Sequence, residues 1–273
     1  MTLGKTNVNL TEITYNPYRK IANYDMLYYF GDECEEVTGG WVGFERDSTY
    51  TAGDYEKRQN NLYVHEMVDG YGQPSFSTTK PLDMTQYTMM AFKATWYGYS
   101  SNGYTVTAPA FDVANASQPD IRNSSHKSVS LYNGIQTQYS MQQNTPTYVK
   151  SQISVTESYA ANAYVVFTVS CGAQSRDTAN SALYALALFK ADDIETLAAK
   201  AGITNATIDN ILANSSALFD SEDTVYFMVA QCTGDFMASA VANSTFLNAL
   251  NNSPYKTIVQ SNKHWAKFLA MVA

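Results

Sequence analysis

The sequence predicts a mainly β protein: a β-sandwich or jelly-roll-like domain with a short helical insertion and a C-terminal helical hairpin. Three observations predict it. Short alternating or near-continuous apolar runs recur along most of the 273 residues, separated by Gly, Asn, Ser and Pro. Aromatic content is 13%, with 21 Tyr, while charged residues are only 15%. That composition suits strand surfaces, where Tyr combines an apolar body with a wet hydroxyl. From Asp235 the period changes, with Phe236, Met237, Ala240, Val241, Phe246, Leu247 and Leu250 recurring at helical spacing.

Residues 1–24 are polar and dotted with Tyr, and Asn16-Pro17 marks a turn, so they read as an extended arm. The sandwich is expected over 25–233. Its strands are expected at 26–30, 41–45, 61–66, 75–79, 88–97, 104–111, 128–132 and 148–156, with alternation plainest in Leu62-Tyr63-Val64-His65 and Ala91-Phe92-Lys93-Ala94. Three near-continuous apolar runs, 163–171, 183–190 and 225–232, look like core strands covered on both faces. Between the last two lies the insertion, 192–214. There Asp192 is expected to cap, Glu195 completes a capping box, and Gly202 supplies the left-handed stop. A second helix follows at 207–213. Polar stretches at 100–102, 115–130 and 137–147 read as surface loops. In the terminal segment, 234–273, Ser253-Pro254 makes a fresh helix start, and Tyr255, Ile258, Val259, Trp265, Phe268, Leu269 and Val272 continue the apolar stripe.

The net charge is −8. The tail from Asp235 carries three Lys against one Asp, leaving 14 basic and 24 acidic residues before it. An acidic body argues against nucleic acid as the main ligand, because phosphate neutralisation needs Lys and Arg. No apolar run approaches the ~18 residues of a membrane span, and the first residues lack the apolar stretch of an ordinary signal peptide. Cys34, Cys171 and Cys232 are too few for a disulfide framework and are expected as buried thiols.

Little catalytic chemistry is visible, and no enzyme, cofactor or metal is expected. His65, His126 and His264 have no metal-ligand spacing, and no nucleophile elbow or phosphate loop occurs. The acidic turn of Asp32, Glu33, Glu35 and Glu36 reads as a solvated loop. Aromatics beside glycines are the better hint: Tyr71, Tyr97, Tyr99 and Tyr104 are candidate surface contacts that could stack on sugars or anchor a protein. The tail's large apolar residues, Phe246, Trp265 and Phe268, are candidate assembly contacts. They must bury either on the chain's own sandwich or on sister chains.

Two stretches carry a resemblance. Cys34-Glu-Glu-Val-Thr-Gly-Gly-Trp41 followed by Thr78-Thr-Lys-Pro-Leu-Asp-Met-Thr-Gln-Tyr87 resembles β-sandwich modules of phage and prophage virion proteins of Gram-positive gut bacteria. The Ala/Ser/Asn-punctuated tail is similar to helical segments of phage tail-fibre and appendage proteins. Together they cover about a third of the chain and include no catalytic signature. The resemblance implies a non-enzymatic virion surface component of tail-fibre, receptor-binding or head-decoration type. It would be a homo-oligomer, with a trimer as one form, joined to other virion proteins and able to meet host-surface glycans. The alternative is a secreted or surface carbohydrate-binding or glycan-active protein.

Overall fold

The computed structural model describes residues 24–29, 44–46, 54–58, 61–67, 74–100, 105–116, 127–136, 140–171 and 177–273. The described strands are β1 (Tyr24–Tyr29), β2 (Phe44–Arg46), β3 (Asp54–Arg58), β4 (Asn61–Met67), β5 (Ser75–Thr78), β6 (Met89–Tyr99), β7 (Val106–Ala114), β8 (Ser128–Gln136), β9 (Ser140–Gln152), β10 (Tyr164–Ser170) and β11 (Thr178–Phe189). They form two antiparallel sheets. The first has the order β3-β4-β11-β6-β9, with β1 also on β11; the second has β2-β5-β10-β7-β8.

The strand at the centre of the first sheet, β11, serves two neighbours on one edge. Its first half pairs β4 and its second half pairs β1, with a register shift at Tyr184 between them. Leu62, Val64, Met90, Phe92, Ala94, Leu183, Leu186 and Leu188 from this sheet meet Phe76, Val106, Phe111, Val113, Val165 and Phe167 from the other. Phe92, Phe111 and Phe167 pack in sequence with tilted rings, their centroids 4.9 and 5.3 Å apart. This is the sandwich core.

The other face of the first sheet builds a second core. Met89, Ala91, Ala185, Ala187 and Phe189 lie under a layer of helices: α1 (Ile194–Lys200), α2 (Ile208–Ala213), α3 (Glu222–Gln231), α4 (Asp235–Ala240), α5 (Ser244–Asn252), α6 (Lys256–Ser261) and α7 (Lys263–Val272). Half of the first sheet is therefore covered on both sides, which is why 183–190 reads as a continuous apolar run.

Several expectations are corrected. The run at 225–232 is not a strand but most of α3. Ser221 caps it through the Thr224 N–H, and Glu222 and Asp223 occupy its first turn. Val225, Met228, Val229 and Cys232 are all buried, a helical spacing hidden because Phe227 is also buried on a neighbouring flank. With that strand gone, the helices at 192–214 are not an insertion. They open a single helical layer that runs to Val272, so the terminal segment is part of that layer rather than a separate hairpin. The cap of α1 is Asp193, which accepts the Thr196 N–H at 3.1 Å. Ser253 does begin the next turn, accepting the Tyr255 N–H at 3.0 Å, but α6 starts only at Lys256. Gly202 stops α1 as expected, with φ +67°. The polar stretch 137–147 is partly the start of β9, and β3 is a polar edge strand that alternation missed. The expected arm and acidic turn lie outside the described residues, apart from Tyr24.

Two polar contacts tie the helical layer to the sheet. The Asp192 carboxylate accepts the N–H groups of Gly234 (2.9 Å) and Phe236 (2.8 Å) at the start of α4. The Tyr148 hydroxyl on β9 donates to the Ala238 carbonyl at 2.8 Å, and burial pushes its phenol well above the usual range.

Candidate ligand-binding face

Strand alternation decides which side chains face away from the sandwich core. On β4, Leu62 and Val64 point inward, so Tyr63 and His65 point outward. On β6, Phe92 and Ala94 point inward, so Lys93, Thr95, Tyr97 and Tyr99 point outward. On β11, Ala179 and Leu183 belong to the sandwich core, leaving Thr178, Asn180 and Ala182 outside. The helices cover the Met89 and Ala91 end of this face and stop short of the Tyr97 end.

Register aligns these residues into rows. One row runs Tyr63, Ala182, Thr95. The next runs His65, Asn180, Tyr97, Gln142, across four strands. The third holds Thr178 opposite Tyr99. Rows are ~6.7 Å apart and strands ~4.8 Å apart, so the whole patch matches a short oligomer in size. Tyr63, His65, Thr95, Tyr97, Tyr99 and Asn180 are half-buried and Gln142 is exposed.

The hydrogen bonds orient the patch. Thr178 Oγ1 donates to the Glu66 carbonyl at 3.1 Å, and His65 Nε2 lies 3.0 Å from the same hydroxyl. A threonine has one hydroxyl proton, so the network assigns the Nε2 proton to His65 and leaves Nδ1 as its acceptor when the ring is neutral. The His65 ring sits 6.2 Å from that of Tyr63, tilted by 47°. Gln142 Nε2 donates to Asn144 Oδ1 at 2.8 Å. Gly98, between the two tyrosines, points into the sandwich. A Cβ there would lie 2.6 Å from Val106 Cγ1 and 2.8 Å from Met141 Cε. Glycine thus lets β6 sit close to the core and holds Tyr97 and Tyr99 at their level.

Of the residues expected as surface contacts, Tyr97 and Tyr99 come together on this face. Tyr71 and Tyr104 lie outside the described residues. Sequence reasoning missed Tyr63, His65, Asn180 and Gln142. The alternation of 62–65 held the signal for the first two, while Asn180 and Gln142 join only through strand order. The expected assembly contacts Phe246, Trp265 and Phe268 are each 0% exposed within the chain. Phe246 stacks on Trp265 at 5.7 Å and Phe268 packs edge-on to Phe189 at 5.3 Å, so the surface they were expected to offer sister chains is occupied by the chain's own core.

A second polar cluster lies at the sandwich end. Cys171 N donates to Glu66 Oε2 at 2.8 Å. Burial raises the Glu66 carboxyl to about 7. Burial, then the carboxylates of Glu66 and Asp177, push the Cys171 thiol up to about 12, which keeps it protonated and poorly nucleophilic. Cys232 is buried in the helical layer, so these two thiols sit in different cores. Among the described residues no group of three His, Cys, Asp or Glu could hold a metal, and no helix is long and apolar enough to cross a membrane.

No protein-family model matches the chain, and no curated protein matches it. Solved structures similar in part include a family 4 carbohydrate-binding module, with 14% identity over 55% of this chain and 95% of that one, TM-score 0.33. A family 29 carbohydrate-binding module complexed with mannohexaose matches at 10% identity over 61% and 91%, TM-score 0.33. The xylan-binding domain of Paenibacillus barcinonensis Xyn10C matches at 11% identity over 63% and 98%, TM-score 0.32. The chain spans 22% of the length of PfGH50B, another similar structure. The sandwich architecture itself rests on the strand order and register above.

Proposed function

We propose that this chain binds a neutral glycan on the outer face of its first sheet. The observation that carries the reading is the placement of Tyr63, Tyr97 and Tyr99 on one face, interleaved with His65, Thr95, Asn180 and Gln142. A sugar ring presents an apolar C–H face and a rim of hydroxyls. Aromatic faces match the first, and neutral amide, hydroxyl and imidazole groups match the second. Besides His65, the described side chains in the tyrosine rows are phenol, hydroxyl, amide and methyl groups, with no Lys or Arg to pair an acidic sugar, which favours neutral over acidic sugars. We read this face as one of binding without turnover; register sets Glu56 of β3 opposite Tyr63 and Asp54 opposite His65, and the reducing-end measurement below tests whether a carboxyl there acts.

Affinity electrophoresis or calorimetry against neutral polysaccharides and their oligosaccharides tests this. Tyr97→Ala and Tyr99→Ala are each expected to weaken binding about tenfold or more, as loss of an aromatic contact does, with an unchanged melting temperature. No binding to any neutral glycan, or binding indifferent to both substitutions, would sink the proposal. Release of reducing ends during incubation would overturn the reading of binding alone.

The setting implied by the sequence resemblance, a virion surface holding host glycans, is supported by the two segments quoted above. Any homo-oligomer would have to use surfaces other than Phe246, Trp265 and Phe268. Mass spectrometry of purified particles tests the setting: absence of this chain from them counts against it.

A further inference from the structure

Where edge strand β9 passes α1 and α2, the structure holds a pocket of about 430 Å³, within the range of small-molecule sites. It lies on the same side of the first sheet as the tyrosines but at the other end. Met89 pairs with Gln152 and Ala91 with Lys150 there, whereas Tyr97 is roughly 25 Å farther along β6 at the ordinary rise per residue. The tie between Tyr148 and α4 stands between the two.

The floor is formed by Met89 and Ser239, which are 6% and 2% exposed. The Ser239 hydroxyl has the Met89 sulfur at 3.9 Å as its contact, a weak acceptor, and so retains bonding capacity toward the pocket. Ile194, Ala206 and Ile208 make apolar walls. At the mouth, Lys150 comes from β9 and Asp209 from α2. Both are exposed, and neither joins an ion pair among the described residues.

These groups select a ligand chemistry. No lining side chain is aromatic, so the pocket lacks the stacking surface a sugar would use. A single Lys balanced by an Asp does not suit a phosphate, which is held by clustered cations and bidentate Arg. One cation and one anion beside apolar walls, with the neutral polar groups of Ser151, Gln152, Thr207 and Ser239 also lining the pocket, do suit a molecule that carries both charges, an aliphatic group and, in a peptide, an amide. We propose that this pocket is a second binding site, for a small zwitterion of the amino-acid class: a free aliphatic amino acid or a short peptide. Its carboxylate meets Lys150, its ammonium meets Asp209, and its side chain rests on Met89, Ile194 and Ile208.

Calorimetry and amide NMR on the full chain test this, with L-leucine and leucyl-leucine as probes and acetyl-leucine amide as the uncharged control. At least one charged probe is expected to saturate, with shifts at Ser151, Gln152, Thr207, Asp209 and Ser239 and none at Tyr97 or Tyr99. Lys150→Gln and Asp209→Asn are each expected to weaken binding about tenfold, the 1.4 kcal/mol of one charged contact. Both positions are exposed, so neither change should disturb folding or glycan binding. The result is thereby independent of the tyrosine face. Equal affinity for acetyl-leucine amide, no saturation in the millimolar range, or shifts confined to other residues would overturn the proposal.

Discussion

Gly234 and Asp192 form the joint between sheet and helices. A Cβ on Gly234 would fall 2.1 Å from the Lys190 carbonyl oxygen and 2.8 Å from an Asp192 carboxylate oxygen. Backbone cannot give way there as the end of a long side chain would. Gly234→Ala is therefore expected to destabilise the fold by about 2–4 kcal/mol, in the range of overpacking plus a broken polar network, measured by urea denaturation. A loss under about 0.5 kcal/mol, the size of an ordinary surface change, would show that the joint tolerates movement. Glu66 is the other decisive residue. Its raised carboxyl arises from burial, and its Oε2 accepts the Cys171 N–H. Glu66→Gln keeps an acceptor and removes the buried charge, so it is expected to stabilise the chain at pH 8 by on the order of 2 kcal/mol and to change little at pH 4.

Among the elements, α7 fixes the helical layer. Trp265 packs against Phe236 and Phe246, with centroids 6.2 and 5.7 Å away, and its Nε1 is buried with no hydrogen-bond partner among the described residues. The ring contributes packing while its N–H carries a desolvation cost. Trp265→Phe removes part of the ring together with its unpaired N–H and is accordingly expected to cost about 1–3 kcal/mol, and Trp265→Ala about 3–5 kcal/mol. Thermal denaturation of the two variants separates these outcomes, and equal losses would mean that the N–H has an acceptor. Another element, α3, accounts for a failure of sequence reading. Strand and helix look alike in the apolar run at 225–232, because α3 is buried on more than one flank and its periodicity is blurred. The Ser221 cap and the acidic first turn were the available signals.

For the molecule as a whole, three layers share the first sheet. Removing 234–273 would uncover Met89, Ala91, Ala185, Ala187 and Phe189, so the truncated chain is expected to aggregate or bind a hydrophobic dye instead of remaining a well-folded sandwich. A cooperative, soluble truncation product would show that the helical layer is dispensable for folding. Stability should also depend on pH in an unusual direction. Burial raises Glu66 to about 7 and Asp112 and Asp235 to about 6, and these values lie above the ordinary carboxyl values. The folded chain therefore binds these protons more tightly than the unfolded chain. Their contribution is fully present below about pH 4 and is lost as pH rises through about 6 to 7. Melting temperature should fall over that window, and Glu66→Gln should flatten the fall.

The sequence by itself determined the fold class, most strands, the stop at Gly202 and the helical character of 234–273. Each is a local matter of period, turn chemistry or capping, carried by consecutive residues. Tertiary structure alone decided that Phe246, Trp265 and Phe268 face inward and that Asp192 braces a helix forty residues away. It also decided the face. Tyr97 and Tyr99 were legible as a pair, but the order β4-β11-β6-β9 brings Tyr63, His65, Asn180 and Gln142 beside them. Strand order is a long-range choice, settled by which apolar faces can be buried together, and no local pattern encodes it.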